Sequence, residues 1–435
     1  MKKILLALVL VLIVMTYGFA NGQQETEKTK TIELWSLFTE GNPMNGVVAD
    51  TIARFEADNP NVKINHVTAI DKDYKTKMKV AMGSKTEGDV MFTWGGTMSL
   101  LPMVEAERVV DLSPYLEADM EWADRFLPSA MAFAQFPEYP GTWGVPVFAG
   151  ASLVSMNYRK DIFAEYNLEE PKTWDEFISV MDTLLANDIT PLALGNKVMW
   201  PGSFWFMILV DRIAGPSAWE KASVPGRGGS FTDAPFIEAG EMIQDLVDRG
   251  YFGEGYNSRN WEAGDTRTQL YTGAAAMEWM GSWTLGQYGV EQPDMEFGFF
   301  NFPPVPGGKG DASNSIGAMG GLEFVITKNC EYVDEAVEFL KYAADDMTVK
   351  NQVVNANSVP PMYGVENFLG ANPQMKNFFE KIVAPAANVQ YWFQEDVPAE
   401  ISQTYLDVVK AIFGGADVRT ELQRLEDAKM QYHNR

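Results

Sequence analysis

The stretch Gln269–Trp283, QLYTGAAAMEWMGSW, joins a helix to an apolar strand and ends that strand in a Gly-Ser-Trp turn. Its small residues, Gly273 and Ala274 to Ala276, let the helix carrying Gln269 and Leu270 pack closely on the succeeding segment. Met277 to Met280 is an apolar run short enough for a buried parallel strand. Gly281 and Ser282 then turn the chain at the carboxyl end of the strand, the edge at which open α/β sheets bind ligands. This reading puts Trp283 in a crevice with a ring face available and Trp279, in mid-strand, in the core; the competing reading buries both rings.

Toward the N-terminus, Met1–Ala20 carries Lys2 and Lys3, an apolar run from Ile4 to Met15 and a Gly18-Phe19-Ala20 end, the pattern of a secretory signal cut after Ala20. The run falls short of the ~20 residues that span a bilayer, so no stable membrane insertion is expected. The single cysteine, Cys330, lies far from the cut, which speaks against a lipid anchor and leaves no partner for an intramolecular disulfide. Loss of Lys2 and Lys3 takes the formal charge from −25 to −27. So acidic a surface repels phosphate backbones and anionic headgroups, and no nucleic-acid partner is expected. At 46% hydrophobic and 12% aromatic over 435 residues, the chain can bury a large core and divide into two domains. Residues 21–30 are polar and read as a flexible lead-in.

Only His66 and His433 are present, and His66 falls in the alternating Val62–Val67 strand pattern. Histidine-rich zinc sites and Ser-His-Asp or Cys-His machinery therefore lack parts, and neither a metal site nor a cofactor is expected. Glycoside hydrolysis by paired carboxylates stays open, because Asp and Glu total 59.

Strand and helix patterns alternate from Thr31, which predicts an α/β fold with mainly parallel sheets. Strands are expected at Thr31–Ser36, Val62–Val67 and Val90–Trp94, with helices at Val47–Ala57 and Asp73–Met82 between them. Further on, Thr173 with Glu176 reads as a capping box for a helix through Leu185, with Trp174 and Phe177 as packing residues. A Gly- and Pro-rich tract, Asn301–Gly321, leads into a strand from Leu322, and Glu331–Ala344 has helical spacing.

Three blocks, FEADNPNVKI from Phe55, the Asn157–Phe163 to Pro171–Phe177 segment, and the GAAAMEWMGSW turn, resemble family 1 extracellular solute-binding proteins, the receptors of carbohydrate ABC importers. The resemblance covers essentially the whole mature chain and is weakest over Ala214–Asn260. It implies a two-lobe periplasmic binding protein fold of type II, each lobe a mainly parallel sheet flanked by helices, with the ligand cleft between lobes. The implied division is 31–148 and 317–370 for the first lobe and 149–316 and 371–435 for the second. Phe148–Leu153 and Ile316–Gly321 are expected as crossings, with another near Gly370.

Sugars offer C–H faces to aromatic rings and in-plane hydroxyls to paired donors and acceptors, and twelve Trp residues supply the first kind of contact. The candidates are Glu40 after the first strand, Trp94 with Gly95 and Gly96 at the end of the third, Asn196 and Trp200 after the Pro191–Leu194 strand, Trp283, the Gly320-Gly321 pair, and Trp392. Glycine at 95 and 96 lets backbone N–H groups approach a ligand, while Gly320-Gly321 reads either as such an approach or as a hinge. Trp205, inside an apolar helix Phe204–Val210, is read as core; Trp261 is a weaker candidate. Maltose-type relatives place a carboxylate at the crossing, where this chain has Gly150, Ala151 and Ser152. The expected protein is a periplasmic monomer that closes on a mono- or oligosaccharide and passes it to ABC permease subunits. The alternatives are a secreted carbohydrate-active enzyme and a binder of a non-sugar solute.

Overall fold

The computed structural model describes residues 29–434. The expected leader, Met1–Ala20, lies outside the described residues. Two sheets organise the chain. The first contains β1 (Lys30–Ser36), β2 (Val62–Thr68), β3 (Val90–Trp94) and β9 (Leu322–Ile326), in the order β2-β1-β3-β9. β1 runs parallel to β2 and β3, and β9 returns antiparallel to β3 with Val90 opposite Ile326. Every residue of β3 is buried, as a central strand covered on both faces requires. Helix Pro43–Asp58 starts earlier than expected because Asn42 accepts the Met44 N–H at 2.9 Å and Pro43 suits the first turn. Its Phe55 packs edge-on to Phe339 and Tyr342, with ring centroids 5.5 and 5.4 Å away, which joins the return segment to the first sheet.

The second sheet contains β4 (Ser152–Arg159), β5 (Thr190–Ala193), β6 (Ala275–Gly281), β7 (Phe297–Phe300), β8 (Ser315–Ala318) and β10 (Val389–Gln390). Its order is β10-β8-β4-β6-β5, with β7 also beside β4. β6 is parallel to β5, but β4 runs against β6, β7 and β8, so this sheet is mixed and the deciding strand is parallel on one side only. The cause is the crossing geometry. β4 enters the lobe where β8 leaves it, and two segments travelling in opposite directions pair antiparallel, with Ser152 opposite Ala318 and Leu153 opposite Gly317.

The apolar helix spans Trp200–Ala214 and is buried from Pro201 to Ile213, longer than the apolar run alone. Its last turns hold the buried Asp211-Arg212 pair. Arg212 donates to the Phe302 and Asn314 carbonyls at 3.0 Å and to Asp211 at 2.7 Å, which binds the Gly/Pro-rich tract to the helix. The helices Ala234–Asp248, Ala399–Phe413 and Val418–His433 pack on this side. Thr173 caps helix Trp174–Leu185 by accepting the Glu176 N–H at 3.2 Å, while Glu176 accepts from the Lys172 N–H at 2.7 Å. Trp174 and Phe177 pack on Phe302. His66 stays on its strand, with Nε2 2.7 Å from the Ser36 hydroxyl, and Cys330 is buried and free.

Among the described residues the chain passes between the sheets three times. Val145 still bridges Phe324 of the first lobe before β4 begins in the second, and the return runs from Ala318 to Leu322. The last passage comes after Pro361, whose carbonyl accepts the Leu127 N–H in the first lobe. It ends at helix Pro373–Phe378, where Phe378 meets Phe299 of the second sheet.

Candidate ligand-binding site

A cleft of about 1670 Å³ opens between the lobes and takes lining residues from both. On the second-lobe side, Gly281 ends β6 and Trp283 is the first residue of helix Trp283–Glu291. A Cβ at Gly281 would lie 2.1 Å from the Trp283 ring, so glycine is what allows the indole to fold back over the strand end. Ser282 fixes the turn by donating to the Ala151 carbonyl at 2.8 Å, which ties it to the first crossing. Trp283 is half-buried and held edge-on by Trp200, Phe204 and Trp392, with centroids 5.9, 6.1 and 5.9 Å away. Trp200 in turn meets Trp261 at 4.9 Å. Trp283, Trp200 and Trp392 thus form one aromatic wall, and Trp261 lines the cleft beside Trp200. Trp279 and Trp205 are core residues, 1% and 0% exposed.

On the first-lobe side, Glu40 stands exposed at the cleft rim. Trp94 lines the cleft, edge-on to Phe92 at 5.0 Å, and the Lys75 ammonium sits 4.2 Å above its ring. Lys75 also reaches Glu395 of the second lobe at 2.9 Å and Asp71 of its own helix at 3.7 Å.

The remaining sequence candidates go elsewhere, each for a physical reason. The Gly95 N–H donates to the Gly321 carbonyl at 2.9 Å and the Gly96 N–H to the Phe133 carbonyl at 2.8 Å, so neither donor is free for a ligand. A Cβ at Gly320 would lie 2.4 Å from Ala130, and Gly321 has φ +78° with its carbonyl accepting from the Tyr391 hydroxyl at 3.4 Å. These four glycines allow close backbone packing beside the return crossing. Asn196 is fully buried, donates to Asn257 at 2.6 Å and packs on Gly202; its neighbour Lys197 lines the cleft instead.

Sequence reasoning missed the charged groups of the cleft, Lys75, Glu262, Arg267 and Glu291. The Lys-rich pattern of Asp73–Met82 marked a helix, which the structure extends to Asp71–Ser84, but not which lysine faces inward. Burial works to lower the Lys75 pKa, yet the attraction of Glu395 and Asp71 outweighs it and the pKa is raised. Burial raises that of Glu262, and the Asp71 charge adds to it against the opposing pull of Trp200, Lys75 and Lys72. Arg267 donates to Glu291 at 3.0 Å, and Tyr271 donates to the same carboxylate at 2.7 Å. Five carboxylates and five cations line the cleft, which is balanced in charge within a chain of formal charge −25. Aromatic faces beside paired charges suit an uncharged, hydroxyl-rich ligand. Among the described residues, no group of three or more His, Cys, Asp or Glu is placed to hold a metal ion, and no helix is long and apolar enough to cross a membrane.

Comparison with known proteins fits this architecture. The chain is 24% identical over 332 residues to the multiple sugar-binding protein of Streptococcus mutans, covering 74% of this chain and 73% of that one. It is 26% identical over 365 residues to an ABC transporter extracellular-binding protein of Pyrococcus horikoshii, covering 79% and 78%. A solved structure from work on xylan utilization by Caldanaerobius polysaccharolyticus superposes with a TM-score of 0.82 at 26% identity, over 91% of this chain and 99% of that one. The model of the bacterial extracellular solute-binding protein family matches residues 35–350. With two lobes, three crossings and a cleft between them, the chain belongs to the bacterial extracellular solute-binding protein family.

Proposed function

We propose that this protein is the carbohydrate receptor of an ABC importer, closing its two lobes on a mono- or oligosaccharide and presenting it to the permease subunits as a monomer. The observation that carries this reading is the wall of Trp200, Trp283 and Trp392 facing charged hydrogen-bonding groups across a cleft between two lobes. The names of the S. mutans and P. horikoshii relatives support it. Residues 31–148 with 317–370 make one moving body and 149–316 with 371–435 the other. Closure is driven by a ligand that contacts both, since one with equal affinity for open and closed forms would shift nothing.

Titration calorimetry with raffinose, xylotetraose, chitotriose and maltotriose is expected to find one saturable ligand that is returned unchanged. Small-angle scattering at saturation is expected to give a smaller radius of gyration than without sugar. Cleavage products would establish the enzyme reading, and an unchanged radius would mean a preformed closed site or a rigid groove in place of ligand-driven closure. Binding without turnover is favoured because three of the cleft carboxylates are engaged by cations, Glu291 by Arg267 and both Glu395 and Asp71 by Lys75.

The protein works outside the cytoplasm, in the periplasm or secreted, after cleavage behind Ala20 and without lipid. N-terminal sequencing is expected to begin at Asn21; an acylated or uncleaved terminus would replace this with a membrane-tethered form.

A further inference from the structure

Lys75 occupies an unusual place. Its helix, Asp71–Ser84, belongs to the first lobe, to which Tyr74 anchors it by donating to the Phe92 carbonyl at 2.5 Å. Glu395 lies on the turn Phe393–Asp396, fixed in the second lobe by Phe393 against Trp219 and Tyr405 and by the Ser402 hydroxyl donating to the Gln394 carbonyl at 2.7 Å. The 2.9 Å contact between Lys75 and Glu395 therefore spans the cleft. Thr97 adds a neutral contact beside it, donating to the Asp396 carbonyl at 3.1 Å.

We propose that Lys75 and Glu395 form an ionic clasp that holds the two lobes together in the absence of ligand. A solvent-exposed pair would do little, because ordering two long side chains offsets most of the attraction. Here the ordering is already done. The Trp94 ring lies 4.2 Å beneath the ammonium, Asp71 flanks it at 3.7 Å, and although the Lys75 side chain is 39% exposed along its length, that of Glu395 is only 13% exposed. The clasp also covers the face of Trp94. The first-lobe wall thus offers a ligand the edge of an ion pair, and stacking falls to the second-lobe tryptophans. This arrangement gives a closed form populated before the ligand arrives, and a salt dependence of closure that an uncharged ligand would not bring.

The inference rests on the two-lobe hinge of the proposed function, and its test needs no sugar. Spin labels on Val80→Cys, at a position 66% exposed in the first lobe, and on Gln403→Cys, exposed in the second, report the interlobe distance by double electron–electron resonance. The native Cys330 is buried, with its thiol pKa pushed up to about 12 by that burial, so labels go to the introduced sites. In protein refolded from denaturant to remove any bound solute, Lys75→Met is expected to lower the closed-to-open ratio about two- to five-fold at ~20 mM NaCl. Raising NaCl to about 0.5 M should do the same to the wild type and little to the variant. Glu395→Gln should match Lys75→Met, and the double variant should go no further. Identical distance distributions in wild type and both variants, or a full salt response surviving in Lys75→Met, would overturn the clasp. Failure of every sugar in the panel with these distances as expected would remove the carbohydrate reading and leave the clasp standing.

Discussion

Trp283→Ala is expected to weaken binding of the cognate sugar by about 1–3 kcal/mol, roughly 5- to 150-fold, while the protein stays folded. Trp279→Ala, four residues earlier, is expected to cost about 3–5 kcal/mol of stability instead. The two indoles lie either side of the end of β6, Trp279 on the strand and Trp283 at the start of the helix that follows, and meet different surroundings. Trp279 is 1% exposed and packed edge-on to Phe302 and Trp205, at 5.3 and 6.4 Å, so truncation opens a cavity in the second-lobe core. Trp283 lies past the Gly281 turn at the cleft wall and is half-buried. Calorimetric affinity and urea midpoints of both variants check the contrast. An unfolded Trp283→Ala whose folded fraction binds normally would return Trp283 to the core.

Stability is expected to fall as pH rises from about 5 to 8, and Glu323→Gln is expected to remove much of that slope. Glu323 on β9 is fully buried, accepts the Gly321 N–H at 3.3 Å with one oxygen, and has no hydrogen-bond partner for the other among the described residues. Burial raises its pKa from the ordinary 4.5 to about 8. Between those two values the folded protein keeps a proton that the unfolded chain releases, so rising pH favours unfolding, and above about pH 8 the slope ends. At about 1.4 kcal/mol per pKa unit the loss is on the order of 4 kcal/mol if this carboxyl acts alone. Glutamine keeps the acceptor for Gly321 and cannot ionise. Unfolding midpoints of both proteins from about pH 5 to 9 decide it: an equally steep fall in the variant would assign the slope to other groups.

The fold was readable where period and punctuation agreed. The buried run Val90–Trp94 became β3 without change, and Thr173 capped its helix as the spacing implied. Chain direction in the second sheet was not readable, because an apolar run such as Met277–Met280 looks the same whether its neighbour runs with or against it. At the site, aromatic residues beside glycine turns located Trp283 and Trp200 at the cleft, and Trp392, read from the polar residues that follow it, lines the same cleft. The glycines themselves misled. Gly95 and Gly321 are permissive residues at a close approach, but they approach each other, with an N–H to O distance of 2.9 Å, and not a ligand. Lys75 and Glu395 are separated by 320 positions, and nothing local in either segment announces their pairing.

The return strand β9 has a further consequence, for the order in which the chain can fold. β3 cannot complete its sheet until β9 arrives from more than two hundred residues downstream. Neither lobe is a contiguous piece that could settle as it emerges from the ribosome, and pairings this distant close slowly. Each lobe can become compact only after its downstream segments have arrived, so the two lobes are expected to fold late and together and not one after the other.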